Sequence, residues 1–469
     1  MNKLIDLLRR FNLNYLMISF LLVILIVFTI FITKVHFLKQ GEMQTPIVIL
    51  KDSLPVTIQT TPTLSSSASV SSTSEYKIGY RIAVDKSSDT RGLGYSGQNK
   101  ISVDSLGNGY IAYRKNYKSS TQVFVSKLTR LKNGKFTVSG ITIPIANVSN
   151  AVQRVPSIGI DQDNKIDVLW YGLESSKTDN GRQIKFTQSV NLGKTWSSYK
   201  DISIVTGYNG QDYWQEHPSF ATAPNGSIFA VWEGQDLSHE NQQIKFSKSS
   251  DNGKTWTTWK NVQTTSDNTQ SRPSLIYDAT GNLHLFMYSS QSVKTQQIWH
   301  SVSSDEGATW SKWENISRSS NDSRHVSVVL ANNKIFAVWR TQEGSVSQLY
   351  YSIYNNGSWS IPKYLAKSNE NQFFPSVGIN KSGNVLITWM ESSDDSGLPR
   401  EDPTKSSGYA LVYLVDTNKF TDRVKIPQTK NIYYPHVADK NTYSDDFYIT
   451  YGDGDEKNGI QIYFLALTK

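Results

Sequence analysis

Cysteine is absent from all 469 residues. That removes disulfides, a thiolate metal site and a cysteine nucleophile, without identifying a compartment. Blocks of consecutive basic residues are missing too. The net charge is +8, but the positives are scattered singly, which describes a solvated surface rather than a track for nucleic acid. Long apolar runs are missing with one exception, residues 15–33, and a bilayer needs about 20 such residues as helix. Neither the shorter apolar run of a cleavable signal peptide nor its small-x-small site is present. The expectation is a cytoplasmic N-terminus (1–14) and an uncleaved single-pass anchor (15–33). A linker (34–75) and a domain outside the cytoplasm follow, because Lys3, Arg9 and Arg10 precede the span. Residues 56–75 are a Ser/Thr tether that cannot bury a core. The Asn-x-Ser sequons carry little weight without a known host.

What the chain does contain is repetition. Ser189-Val-Asn-Leu-Gly-Lys-Thr-Trp196, Ser249-Ser-Asp-Asn-Gly-Lys-Thr-Trp256 and Ser303-Ser-Asp-Glu-Gly-Ala-Thr-Trp310 are near copies, and Tyr354-Asn-Asn-Gly-Ser-Trp359 is a degenerate fourth. Asp or Asn followed two residues later by Gly makes a tight reversal. The side-chain oxygen takes local N–H groups and Gly supplies positive φ. With β-rich runs on both sides, each copy predicts a hairpin with an aromatic just past the turn.

A second pattern is wider. Pro156, Pro218, Pro273, Val326, Pro375 and Pro435 each start a β-rich run, and a second run follows, ending at Trp170, Trp232, Met287, Trp339, Trp389 and Tyr451. Residues 99–113 form a first copy without the Pro. Two strands here and two around the octet make four antiparallel strands over about 50–60 residues, the size of a propeller blade. The last repeat ends after its third strand, and Tyr76–Val84 supplies the missing outer one. The fold class expected is therefore all-β, a single propeller over 76–469 with seven four-stranded blades, the N-terminal strand closing the last.

The octet resembles the Asp-box, or BNR repeat, of the sialidase superfamily. That resemblance implies a propeller of six blades, one fewer than the count above, with Asp-boxes in a structural role. It also implies hydrolysis of acidic sugars by an arginine triad, a Tyr nucleophile activated by Glu, and an Asp acid. The Phe-Arg-Ile-Pro motif of that family is absent. The nearest string, Tyr80-Arg-Ile-Ala83, falls in the closing outer strand.

Strand direction puts the starts of the inner strands and the ends of the second strands on one face, opposite the Asp-boxes. The starts read Gln153-Arg154, Glu216-His217, Ser271-Arg272, Arg324-His325, Phe373-Phe374 and Tyr433-Tyr434, and the ends add Arg114, Glu233, Arg340 and Glu391. Arginine bonds carboxylate in bidentate fashion and aromatics stack on sugars. Arg154, Arg272, Arg324, Arg340, His217 and His325 are thus the candidate ligand-binding residues. The resemblance implies Tyr433 or Tyr434 as nucleophile and Glu216 or Glu233 as its base. No metal or cofactor is expected: the two histidines lie on different blades, with no confirmed carboxylate as a third ligand. The reading is a membrane-anchored propeller acting on or recognising surface glycans. The alternative is a non-catalytic propeller that binds glycan or an envelope protein.

Overall fold

The computed structural model describes residues 76–469 apart from 88, 96, 140–142, 149–150, 175–180, 206–212, 265–267, 292, 394–404 and 456. The expected segments 1–14, 15–33 and 34–75 lie outside the described residues, among which no helix is long and apolar enough to cross a membrane. The fold below is that of the compact unit Ser72–Lys469.

Seven antiparallel sheets follow one another along the chain. Blade 1 is built from Ile101–Val103, Gly109–Tyr117, Ser120–Arg130 and Phe136–Ser139; blade 2 from Gln153–Ile160, Ile166–Gly172, Gln183–Ser189 and Lys200–Asp201. Blade 3 comprises Gln215–Thr222, Ile228–Asp236, His239–Ser249 and Lys260–Asn261; blade 4, Ser271–Tyr277, Leu283–Ser289, Gln297–Ser303 and Glu314–Asn315. In blade 5 (Ser323–Ala331, Lys334–Glu343, Val346–Asn355) and blade 6 (Asn371–Ile379, Val385–Ser392, Ser406–Leu414) the outer strand is split into two short pieces. Blade 7 consists of Asn431–Val437, Phe447–Asp455 and Gly459–Thr468, completed by the N-terminal strand Lys77–Ser87. Successive inner strands touch, and blade 7 meets blade 1, so the ring is closed and every sheet is four deep. The count of seven holds, and the six blades that the resemblance implies do not. Arg81 sits in the closing strand, over the Tyr463 ring at 3.6 Å and against Asp453 at 3.3 Å, far from the inner strands.

The core is a set of inter-blade layers, and the repeats supply its recurring parts. Trp170 and Trp232 are fully buried within strands that run on to Gly172 and Asp236, and each indole N–H donates to a glutamine one strand inward: Gln153 at 2.8 Å and Gln215 at 2.8 Å. Gly172 and Gly234 stand where a Cβ would collide with those glutamines. The Trp residues at the second-strand ends are therefore core. In the Asp-boxes, Asp251 Oδ1 accepts from Ser249 Oγ and the Thr255 amide, both at 2.8 Å, and Oδ2 accepts from Thr255 Oγ1 at 2.6 Å; Asp305 repeats the pattern. Gly253 (φ 76°) and Gly307 (φ 85°) lie directly on Phe186 and Phe246 of the preceding blade. Trp256 and Trp310 pack edge-on against those rings at 5.2 and 5.8 Å. The box is thus a staple between neighbouring blades.

One expectation about the octet needs correcting. Residues 255–259 do not continue as strand; pairing resumes only at Lys260–Asn261. Hydroxyls bridge the gap, as Thr257 Oγ1 accepts from the Lys248 amide at 3.0 Å and Ser311 Oγ from the Val302 amide at 3.0 Å. A side chain thereby replaces a rung of the ladder. The degenerate copy is a different turn: Asn356 and Gly357 both have positive φ, the two-residue hairpin that such a pair favours.

Candidate functional site

The inner strands share one deformation. In blades 2 to 7 the register slips at the same place, so that two residues of the inner strand face one residue of its partner. The first residue of each slip is left-handed: Val155, His217, Arg272, His325, Phe374 and Tyr434, with φ between 46° and 58°. Five of the six precede a proline, where an extended backbone is the norm. Such strain persists only where the surroundings hold it, and it gathers at functional sites. A bulge re-aims a side chain, and here five of the six, all but Val155, meet in one chain of ring and cation contacts.

The axis is filled from the other side. The segment before blade 1 crosses the channel: a Cβ on Gly97 would lie 3.4 Å from the carbonyls of both Pro273 and Val326. His436 Nε2 bonds the Leu93 carbonyl at 3.0 Å. Tyr95, itself at φ 72°, packs at 4.9 Å on His217 and 6.2 Å on Tyr434, and the Arg272 guanidinium lies 4.0 Å over its ring. Phe374 links Tyr434 to His325, each at 4.9 Å. The expected aromatic arc is therefore a plug: Phe373, Phe374, Tyr433 and Tyr434 are all at most 3% exposed. No repeat pattern marks Tyr95. It lies between the closing strand and the first repeat.

Around the plug the charged residues sort into two groups. In blades 3 and 4, His217 Nδ1 lies 2.5 Å from Glu233 Oε1, and Glu233 Oε2 accepts from the Arg272 amide at 2.6 Å. Burial disfavours ionised Glu233, but His217 and Arg272 outweigh it and hold its pKa below the usual value. Burial and Arg272 bring His217 down to about 4. It is therefore a neutral imidazole oriented by a carboxylate, and its buried Nε2 has no hydrogen-bond partner among the described residues. Glu216 is ion-paired to Arg182, which lies 4.3 Å over Trp214.

In blade 5, Arg324 is held by Asp322 through two bonds of 2.6 and 2.8 Å, and buried Arg340 points Nε at His325 Nδ1, 3.4 Å away. Burial depresses His325 strongly, with Arg340, Arg272 and Arg324 adding to it. Of these three, Arg340 lies against His325, whereas Arg324 is bonded to Asp322 and the Arg272 guanidinium lies over Tyr95. Arg154, in blade 2, acts instead on the buried Tyr171. Of the second-strand ends, Arg114 pairs with Asp89 at 2.9 Å, and Glu391 with Arg423 at 3.2 Å.

Glu216, His217 and Glu233 bring one ligand atom each within 4.8 Å of one another. Their partners argue against a cation there. Arg182 occupies Glu216, the Arg272 amide occupies Glu233, and the Arg272 charge is close enough to lower His217. For the hydrolytic constellation, the same bonds show where the acids are committed: Glu216 to Arg182, Glu233 to His217 and the Arg272 amide.

A family model described as a BNR repeat-like domain matches residues 149–437. The chain belongs to the BNR repeat-like family. Curated protein sequences give no match. Among solved structures, a protein of unknown function from Dyadobacter fermentans is 12% identical, with 84% of this chain and 99% of that one covered and a TM-score of 0.50. A polysaccharide lyase, an ulvan lyase, is 11% identical over 79% of this chain and 94% of its own, with a TM-score of 0.51. A Hadza microbial sialidase is 14% identical over 76% and 73%, at 0.49. At such identities the first two share a fold with this chain and nothing more.

Proposed function

We propose that this BNR propeller recognises an acidic glycan at the mouth of its plugged channel, through Arg154, Arg272 and Arg324. The observation that carries the reading is an asymmetry of exposure. Glu216, Glu233 and Glu391 are each 8% exposed or less, while Arg154, Arg272 and Arg324 remain partly open. A mouth whose three glutamates are buried and whose arginines stay partly open, Arg324 with its fork already on Asp322, suits a carboxylate or sulfate ester on a sugar. The polysaccharide lyase of like fold is in keeping with a glycan ligand. The apolar run 15–33 would hold the propeller at a membrane, outside the cytoplasm.

Recognition is favoured over sialidase-type hydrolysis because Tyr433 and Tyr434 are buried in the plug and both glutamates have other partners. One observation supports a second, catalytic reading. His217 is neutral, oriented by Glu233 and uncommitted at Nε2 among the described residues, the attributes of a general base for removing a proton beside a carboxylate.

Titration of acidic and neutral oligosaccharides into the protein tests both. The recognition reading expects binding of acidic probes that weakens by about tenfold or more, equal to about 1.4 kcal/mol, in Arg272→Ala. Equal binding of neutral and acidic probes overturns it. Appearance of an unsaturated uronate, lost in His217→Gln, selects the second reading.

A further inference from the structure

A cleft of about 330 Å³ opens between blades 6 and 7, lined by Glu370, Glu391, Ser406, Ser407, Tyr409 and Gln428 and rimmed by Lys405 and Lys430. It lies on the same face as the channel mouth, because its walls are the end of Val385–Ser392 and the starts of Ser406–Leu414 and Asn431–Val437. Its volume is at the small end of ligand-binding clefts, which run from about 300 to 1,000 Å³.

The lining is chemically specific. Glu391 is held in the wall by Gln372 at 2.8 Å, by the Trp389 indole at 3.0 Å and by Arg423, so its charge is answered within the protein. Lys430 is answered in the same way, by Asp455. Gln428 spends both amide protons on carbonyls, of Ser406 at 3.0 Å and Lys430 at 2.6 Å. Its Oε1 is buried without a hydrogen-bond partner among the described residues. An amide oxygen left so costs about 1–3 kcal/mol unless something donates to it. Tyr409 is braced between Trp389, stacked at 5.9 Å, and the Arg423 guanidinium at 4.6 Å, which fixes it as a rigid wall. With the internal pairs set aside, Lys405 and Glu370 leave no net charge, and serine hydroxyls dominate the rest.

The geometry points to a saccharide subsite for a neutral, hydroxyl-rich sugar residue set against the Tyr409 wall. It rests on the glycan reading of the mouth for the class of ligand only, and differs from it in charge. Guanidinium forks at the mouth select an anion; balanced charge and hydroxyls here select a neutral sugar. Together they suit a polymer that carries both kinds of residue, one end over the plug and the other over blades 6 and 7.

The test uses the full chain in detergent, with xylohexaose, cellohexaose, mannohexaose and an oligouronate as probes, read by saturation-transfer NMR and calorimetry. Ser407→Trp fills the cleft. Lys405→Trp, at an exposed rim position, overhangs it and guards against a folding failure in the first variant. At least one neutral probe should bind the wild type and lose about tenfold or more in affinity in both variants, while Arg272→Ala leaves it unchanged. Absence of neutral-probe binding to the wild type overturns the subsite. So does neutral binding that survives both tryptophans, or that is lost with Arg272. Failure of the mouth reading has a different signature, oligouronate binding indifferent to Arg272→Ala.

Discussion

His300 Nε2 donates to His284 Nδ1 across 3.0 Å, and the ends of the chain fix that direction. The Trp359 indole can only donate, so His300 Nδ1, 3.1 Å away, must accept. The His300 proton is then on Nε2, His284 accepts at Nδ1, and its own Nε2–H reaches Asp278 at 3.1 Å. Every lone pair and proton of the two imidazoles is used in their neutral forms. A further proton on either ring has no acceptor.

Acid should therefore unfold this protein early. Burial depresses His284 and His300, and likewise His217, His325 and His436. A depressed histidine binds its proton in the unfolded chain first, so stability is fully present above about pH 6.5 and is lost as pH falls toward the folded values. Buried Asp167 and Asp439, raised to about 7 and about 6, take up protons in the folded state and oppose the loss. They are two groups against five. Tm should fall steadily below about pH 6.5; a Tm that is flat down to pH 5 contradicts the neutral histidine pair.

The Asp-box staples predict a contrast between glycines. Gly253→Ala puts a Cβ into the Phe186 ring at positive φ, whereas Gly357, also at positive φ, has nothing within 4 Å. The first should cost about 2–4 kcal/mol, overpacking added to backbone strain, and the second about 1 kcal/mol from strain alone. Denaturant midpoints of the two variants check this, and equal losses would mean the box is a turn and not a staple.

How much of this could be read from the sequence follows from what repeats. The octets and the Pro-to-Trp runs recur at similar intervals, so blade number and the closing strand Lys77–Ser87 were legible. The bulges were not, because a residue before proline is expected to be extended, and Val155, His217, Arg272, Phe374 and Tyr434 are left-handed instead. Nor was the plug: Tyr95 occurs once, outside every repeat, and its contacts with His217 and Arg272 join residues more than a hundred positions apart. Charge at the inner-strand starts was visible, but which acid each arginine meets was not. Arg182, which takes Glu216, lies outside the strand-end pattern altogether.

The Gln–Trp pairs predict a non-additive cycle. Gln215→Leu leaves the buried Trp232 N–H without its acceptor, a loss of about 1–3 kcal/mol. Trp232→Phe should restore part of that loss in the double variant, because no polar group is then orphaned. Chemical denaturation of the two single variants and the double measures the coupling; strict additivity would show that the 2.8 Å bond contributes nothing.

Closure of the ring predicts where truncation stops being tolerated. Removing residues 1–71 takes nothing from the described propeller unit. Removing 1–87 strips Lys77–Ser87 from Gly459–Thr468, breaks the Arg81–Asp453 pair and bares a long strand edge. It also deprives Tyr113 and Lys115 of Asp85, so blade 1 loses support along with blade 7. The shorter truncation should keep the parent's light-scattering mass per unit and Tm, and the longer should aggregate or expose blade 7 to protease. Light scattering and limited proteolysis decide between them: a monomeric, protease-resistant 88–469 fragment would show that the inner strands hold the ring without the N-terminal strand.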